Sequence, residues 1–344
     1  MNKIYFLITF LSIIVYGQVP SYYASIDFNE SNEEIKSDLT SLLRTTHINR
    51  LSYTPGVWNA LKMVDLDPEN SDNVLLIYGY DDFDSDPVND RSRDKDLTCH
   101  SATCSQPRWN REHIFPKSIG EFEEDGYEIT DVHALRASDT NMNAYRFNSP
   151  YVDGEGNAGE VTSYRFYPGD EWKGDVARMI LYMYLRYPAN CKPNYVGIDT
   201  HTYSPEIPDI FLEWNAEDPV SEFEIRRNNL IAQELQGNRN PFIDNPYIAT
   251  KLWGGPKAED RWGTLSVDDI ALDAFQVYPN PTVDVIYYNE HSFTAITVYD
   301  ISGKIIDRDL NLKDNKTKMP NTKGMYLVEF CDKNNCNSIK VIKN

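Results

Sequence analysis

The sequence predicts an α+β protein of two domains, a large helix-rich domain followed by a small all-β sandwich. Two observations carry that expectation. Up to Gln236, apolar residues recur at helical spacing behind recognisable caps, with few runs that suit a strand. Beyond Gly263 the pattern changes to short alternating segments broken by turns, FQVYP, VDVIYYN, AITVYD, MYLVEF and SIKVIK, as hairpins of a small sandwich require. A chain of 344 residues can bury one large core and one small. The expected division is an export signal at 1–17, a main domain at 18–262, a linker at 263–274 and a C-terminal domain at 275–344.

Residues 1–17 combine Lys3 with an apolar run from Ile4 to Val15 and end in Gly17, as a secretory signal does. That run is too short to span a bilayer comfortably, and no later stretch is long and apolar enough. An exported protein without an integral membrane segment is expected. Ser31 and Glu34 have capping-box spacing, and Ile35, Leu39, Leu42 and Leu43 give the helix behind them an apolar face. Pro55-Gly56 opens a short helix carrying Trp58, Leu61 and Met63. Val74 to Tyr78 reads as a strand, and Asp131 to Leu135 as a short segment. Ser138 or Asp139 is placed to cap a helix through NMNAYRFN, which puts Asn143 and Arg146 on one face. Gly154 to Gly159 is a loop. DVARMILYMYLRY, Asp175 to Tyr187, is apolar nearly all round and predicts a buried helix ended by Pro188. Glu222 to Gln236 predicts another, stopped by Gly237.

The net charge of −20 falls almost wholly on the main domain. Binding a polyanion by bulk electrostatics is thereby excluded; a polyanionic substrate needs a local basic groove and a metal ion. The acidic run Asp81 to Asp96 is read as a solvated loop, with a calcium site as the alternative. Five cysteines suit an oxidising destination. The close spacings predict local bridges Cys99–Cys104 and Cys331–Cys336, leaving Cys191 unpaired.

The chemistry centres on WNREHIFPKS, Trp109 to Ser118. Glu112 offers a hard carboxylate for Mg²⁺ or Ca²⁺, and the adjacent His113 can take a proton from water near neutral pH. In an extended segment the two side chains point to opposite sides, so one can hold a metal while the other acts on a water. No HExxH helix and no nucleophile elbow is present, which sets aside zinc-protease and Ser-His-Asp chemistry.

WNREHIFPKS and the following DVHALRASDTNMNAYRFN (Asp131 to Asn148) resemble the endonuclease I family of secreted and periplasmic nucleases. The resemblance continues in YPGDEWKGDVAR, DPVSEFEIRRN and QGNRNPFID, and covers most of residues 25–255. It implies a His-Me finger (ββα-metal) fold, with His113 as general base and with Glu112 and Asn143 as ligands of a catalytic Mg²⁺, Ca²⁺ and Mn²⁺ being the alternatives. His133 is read as supporting the fold or orienting His113. Lys117 and Arg136 are candidate phosphate contacts, and Arg146 either contacts phosphate or pairs with Asp139. Some relatives carry a phosphate-binding arginine between the two motifs. Residues 114–130 contain none, so that cation is unassigned; Arg178 and Arg239 substitute for it or serve the scaffold.

VYPNP (Val277 to Pro281), VYDISGK (Val298 to Lys304) and GMYLVEF (Gly324 to Phe330) resemble the type A sorting domain of the Bacteroidota type IX secretion system. That implies an immunoglobulin-like export domain and a partner in the secretion machinery; a carbohydrate- or matrix-binding sandwich is the alternative. The expectation is a secreted, monomeric, divalent-metal-dependent endonuclease acting on DNA and/or RNA with little sequence preference and leaving 5′-phosphate ends. A ribonuclease on the same scaffold competes with it, as does a surface nucleic-acid-binding protein that has lost activity.

Overall fold

The structure is a computed structural model that describes residues 19–81, 84–100, 104, 107–263, 265, 277–288, 293–309, 315–331 and 336–344. The expected signal and nearly all of the expected linker lie outside these residues. The chain divides into two compact units, Met1–Ser266 and Val267–Asn344.

In the first unit, α1 (Asn32–Thr46) starts from a complete capping box. The Ser31 side chain accepts from the Glu34 amide, and Glu34 accepts in return from the Ser31 backbone. α2 (Gly56–Val64) buries Val57, Trp58, Leu61 and Val64. The expected strand at Val74–Tyr78 is shorter than its composition suggests. Only β1 (Asn73–Leu75) forms a ladder, with β2 (Ser92–Asp94). Tyr78 then adopts a φ of 72°, and the chain runs so close to the Asp90 carbonyl that a Cβ on Gly79 would lie 2.3 Å from it. Burial of Leu76, Ile77 and Tyr78 explains the apolar run without a strand.

β3 (Trp109–His113) and β4 (Leu135–Asp139) pair antiparallel, with Glu112 opposite Arg136 and His113 opposite Leu135. β4 is buried along its whole length and passes directly into α3 (Thr140–Arg146). Asp139, not Ser138, is the cap: its carboxylate accepts from the Asn141 and Met142 amides. A hairpin follows that the sequence does not announce, β5 (Gly159–Thr162) with β6 (Arg165–Tyr167).

The expected buried helix is α4 (Lys173–Arg186), enclosed on nearly every side and packed against α1 and α5 (Asp209–Glu217). α6 (Glu222–Leu230) has its own capping box at Ser221 and continues as a five-residue π-helical turn, Ile231–Leu235, before Gly237 at φ 95°. α7 (Pro241–Asp244) and α8 (Tyr247–Trp253) complete the unit. Among the described residues no helix is long and apolar enough to cross a membrane.

The second unit contains β7 (Val277–Tyr278), β8 (Val285–Tyr288), β9 (Ala295–Asp300), β10 (Ile305–Asp309), β11 (Lys316–Lys318), β12 (Gly324–Cys331) and β13 (Cys336–Lys343). A four-stranded sheet, β10-β9-β12-β13, and a three-stranded sheet, β11-β8-β7, are antiparallel throughout. Both contribute to one core, with Ile286 and Tyr288 from one and Val298, Val328, Phe330 and Val341 from the other. A two-sheet sandwich results.

Candidate active site

β3 and α3 meet at a cavity of about 410 Å³ whose lining includes Arg111, Glu112, His113, Lys117, Asn143 and Phe147. Three neighbouring residues of one strand reach it, and α3 supplies the rest of the polar wall.

Glu112 is buried, 3% exposed, and its Oε1 accepts from the Tyr78 hydroxyl at 3.0 Å and from Arg146 at 3.2 Å. Burial pushes the carboxyl up to about 7, with the Arg146 guanidinium and the Tyr78 hydroxyl pulling the other way. No hydrogen bond reaches Oε2 among the described residues. Arg146 is itself buried and spent on structure. It also donates to the backbone carbonyls of His113 (3.4 Å) and Ile114 (3.1 Å) and lies over the Tyr151 ring. It pairs with Glu112, whereas Asp139, the protein partner expected of it, pairs with Arg93.

His113 is half-buried, stacked on Tyr53 and edge-on to Phe122. Its Nε2 lies 3.1 Å from the Ile129 carbonyl. A carbonyl only accepts, so Nε2 carries the proton and Nδ1 keeps its lone pair. Burial pushes the imidazolium down to about 4, the Ile129 carbonyl opposing the shift, so the ring is neutral at pH 7.

Asn143 is oriented by its own donors. Nδ2 donates to Asn110 Oδ1 at 2.8 Å, with the Arg111 carbonyl at 3.4 Å, which turns Oδ1 the other way. Asn143 and Arg146 do share a helix face, and that face is packed on β3.

Lys117 is exposed on the cavity wall. Arg136 is not there at all. It is fully buried on β4, 2.7 Å from Asp175 and 3.5 Å from Asp65, between the rings of Trp172 and Phe223. Burial and these two carboxylates, rather than strand alternation, commit it to the interior. Arg178 pairs with Glu224 and Arg239 with Asp244, so both are committed within the protein. His133 does not line the cavity. It is buried against Tyr182 with Nε2 3.0 Å from the Asn238 carbonyl, and its main-chain amide donates to Asp131.

One further cation lines the cavity, outside the residues expected there. Arg111 sits two residues before His113, lines the cavity and has no carboxylate partner among the described residues. Its guanidinium lies over Tyr53 (3.5 Å to the ring centre) and Trp58 (4.5 Å), and donates to the Tyr53 carbonyl and to Thr54 Oγ1. The signal was its position within NREH, on the same strand side as His113.

Cys99 and Cys104 are disulfide-bonded just ahead of β3, and Cys191 is a buried free thiol. Cys331 and Cys336 are register partners in β12 and β13; the side chain of Cys336 lies outside the described residues, and with it the second expected bridge. The centre of the acidic run, residues 82 and 83, is likewise outside them.

Residues 276–344 match the secretion system C-terminal sorting domain. The protein is therefore secreted or displayed at the cell surface through the type IX route. The chain is similar to the extracellular ribonuclease of Bacillus subtilis (strain 168), 35% identical over 249 residues, which span 69% of this chain and 80% of that protein. It is similar also to the extracellular ribonuclease of Bacillus amyloliquefaciens, 36% identical over 244 residues, 68% of this chain and 78% of that one. The Endonuclease I family model matches residues 31–247, which takes in both strands and the helix around the cavity. By that match, and by relatives aligned over about four-fifths of their own length, this chain belongs to the endonuclease I family.

Proposed function

We propose that this protein is a secreted, divalent-metal-dependent endonuclease that hydrolyses phosphodiester bonds of RNA, and of DNA where strands are accessible, with little sequence preference. The names of its two relatives support RNA as a substrate. β3, β4 and α3 are the two strands and helix of a His-Me finger, and the tail is an immunoglobulin-like export domain. One observation carries the reading. A neutral imidazole with a fixed tautomer opens on the same cavity as two oriented oxygen donors.

The donor set fits a hard cation. Glu112 offers Oε2 and Asn143 offers Oδ1, and the burial of Glu112 outweighs its pairing with Arg146, so a further cation would be favoured there. Mg²⁺ suits such a pair, with water and phosphate oxygens completing its shell; Ca²⁺ and Mn²⁺ suit it less strictly. Bound there, the ion would supply Lewis-acid polarisation of the phosphate and offset charge on the leaving 3′ oxygen.

The chain's own residues do the rest. Nδ1 of His113 takes a proton from the attacking water, while the Ile129 carbonyl, holding Nε2–H, steadies the imidazolium that forms. Arg146 and Tyr78 fix Glu112, and Asn110 fixes Asn143. Arg111 and Lys117 line the cavity without a carboxylate partner among the described residues and would meet phosphate oxygens, Arg111 through the N–H groups it does not give to Tyr53 and Thr54. Cleavage of the bond to the 3′ oxygen leaves a 5′-phosphate, and the departing 3′ oxygen takes a proton from water to become a hydroxyl. Positioned proton transfer contributes ~10²–10⁴-fold.

The test is cleavage of RNA and of plasmid DNA by the full chain with Mg²⁺ and with chelator, wild type beside His113→Ala. Cleavage needing both the ion and His113, with a loss of at least about a hundredfold in the variant, is expected. Metal-independent binding without cleavage would establish the inactive binding protein instead.

A further inference from the structure

Phe147 is placed against two preferences at once. It follows α3 directly, with φ 51° and ψ −124°, a backbone region that a Cβ disfavours and glycine occupies readily. Its side chain is 68% exposed, with no ring contact among the described residues. A glycine would relieve the backbone, and a polar residue would suit the solvent. The position instead holds a bare aromatic ring on the lining of the cavity that contains His113 and Asn143.

We propose that Phe147 is a stacking platform for the base of a nucleotide flanking the scissile phosphate, and that the enzyme consequently prefers unpaired strands. The proposal rests on the nuclease reading above and deepens it to a substrate class. A phosphate held between Arg111 or Lys117 and the Asn143 wall leaves the adjoining sugar and base at the rim, where Phe147 lies. An aromatic face accepts any base, which agrees with cleavage lacking sequence preference. In a duplex the base faces are already covered by their neighbours, so only a splayed or single-stranded nucleotide can use the ring. Charge points the same way. A protein of net charge −20 with few cations at its cavity has little electrostatic hold on a strand, and stacking supplies affinity that does not depend on it.

The experiment compares full-length wild type, Phe147→Ala, Phe147→Trp and Phe147→Gly on a single-stranded oligonucleotide and on a perfect duplex of the same sequence, with thermal melting of each protein. Alanine should lower kcat/KM on the single strand by roughly five- to a hundredfold and change the duplex rate by less than about twofold. Tryptophan should retain the single-strand rate. Glycine should lose that rate as alanine does yet melt no lower than wild type, which separates lost stacking from a damaged fold. Equal losses on both substrates, or no loss on either, would overturn the stacking role and leave the nuclease intact. Wild type inert on both would remove the nuclease reading and this proposal with it.

Discussion

Glu112 and Arg146 form a buried ion pair at the cavity, 3.2 Å apart. A carboxyl raised to about 7 holds a proton at pH 6 that a metal must displace. The folded-state value lies above the ordinary one, so this group's contribution to stability falls as pH rises through the window from 4.5 to 7, and a bound cation would restore it. Affinity for Mg²⁺ should therefore climb about tenfold per pH unit up to about 7 and level off above it. Calorimetric titration between pH 5.5 and 8 reads this directly. In Arg146→Met the plateau should move to higher pH, because the carboxylate loses its buried cation, and the fold should weaken by about 3 kcal/mol. Affinity independent of pH would exclude Glu112 as a ligand.

At the scale of the element, α3 is a seven-residue helix too short to persist by propensity and is held by its cap and by β3. Asp139 caps it while pairing with buried Arg93. The two jobs separate by substitution. Asp139→Asn keeps a capping oxygen and loses the charge, whereas Asp139→Ala loses both. The alanine variant should be less stable than the asparagine variant by about 1 kcal/mol, the worth of a cap, and both should fall below wild type because Arg93 is stranded. Urea midpoints decide it; identical midpoints for the two variants would show that the cap contributes nothing. Since Asn143 rides on this helix, metal affinity should fall in the same order.

For the whole molecule, charge sets the terms of substrate binding. With Arg111 and Lys117 the cavity's cations that lack a carboxylate partner among the described residues, about two counterions are released per strand bound. A plot of log kcat/KM against log [NaCl], at fixed Mg²⁺ and limiting single-stranded substrate, should slope near −1.5. A slope steeper than about −4 would reveal a basic groove elsewhere on the surface.

Much of this was legible without a fold. Capping boxes are local, so Ser31 and Glu34 announced α1, and an all-round apolar run announced α4. The NREH segment and the family resemblance brought Glu112, His113 and Asn143 to attention, and the three do share one cavity. The change of periodicity after Gly263 marked a sandwich, since alternation needs only neighbours in sequence. Other features were decided in three dimensions. Arg136 and Arg146 look like phosphate ligands in a list of basic residues, yet burial and the partners Asp175 and Glu112 commit them to the interior. Arg111 has no acid folded against it among the described residues, and the Ile129 carbonyl that sets the His113 tautomer comes from a 3-10 helical turn, Glu128–Thr130, sixteen residues away. Sequence determines what a residue can do chemically and which short elements it favours. Tertiary structure decides which charges are neutralised, since that depends on neighbours brought together from distant parts of the chain.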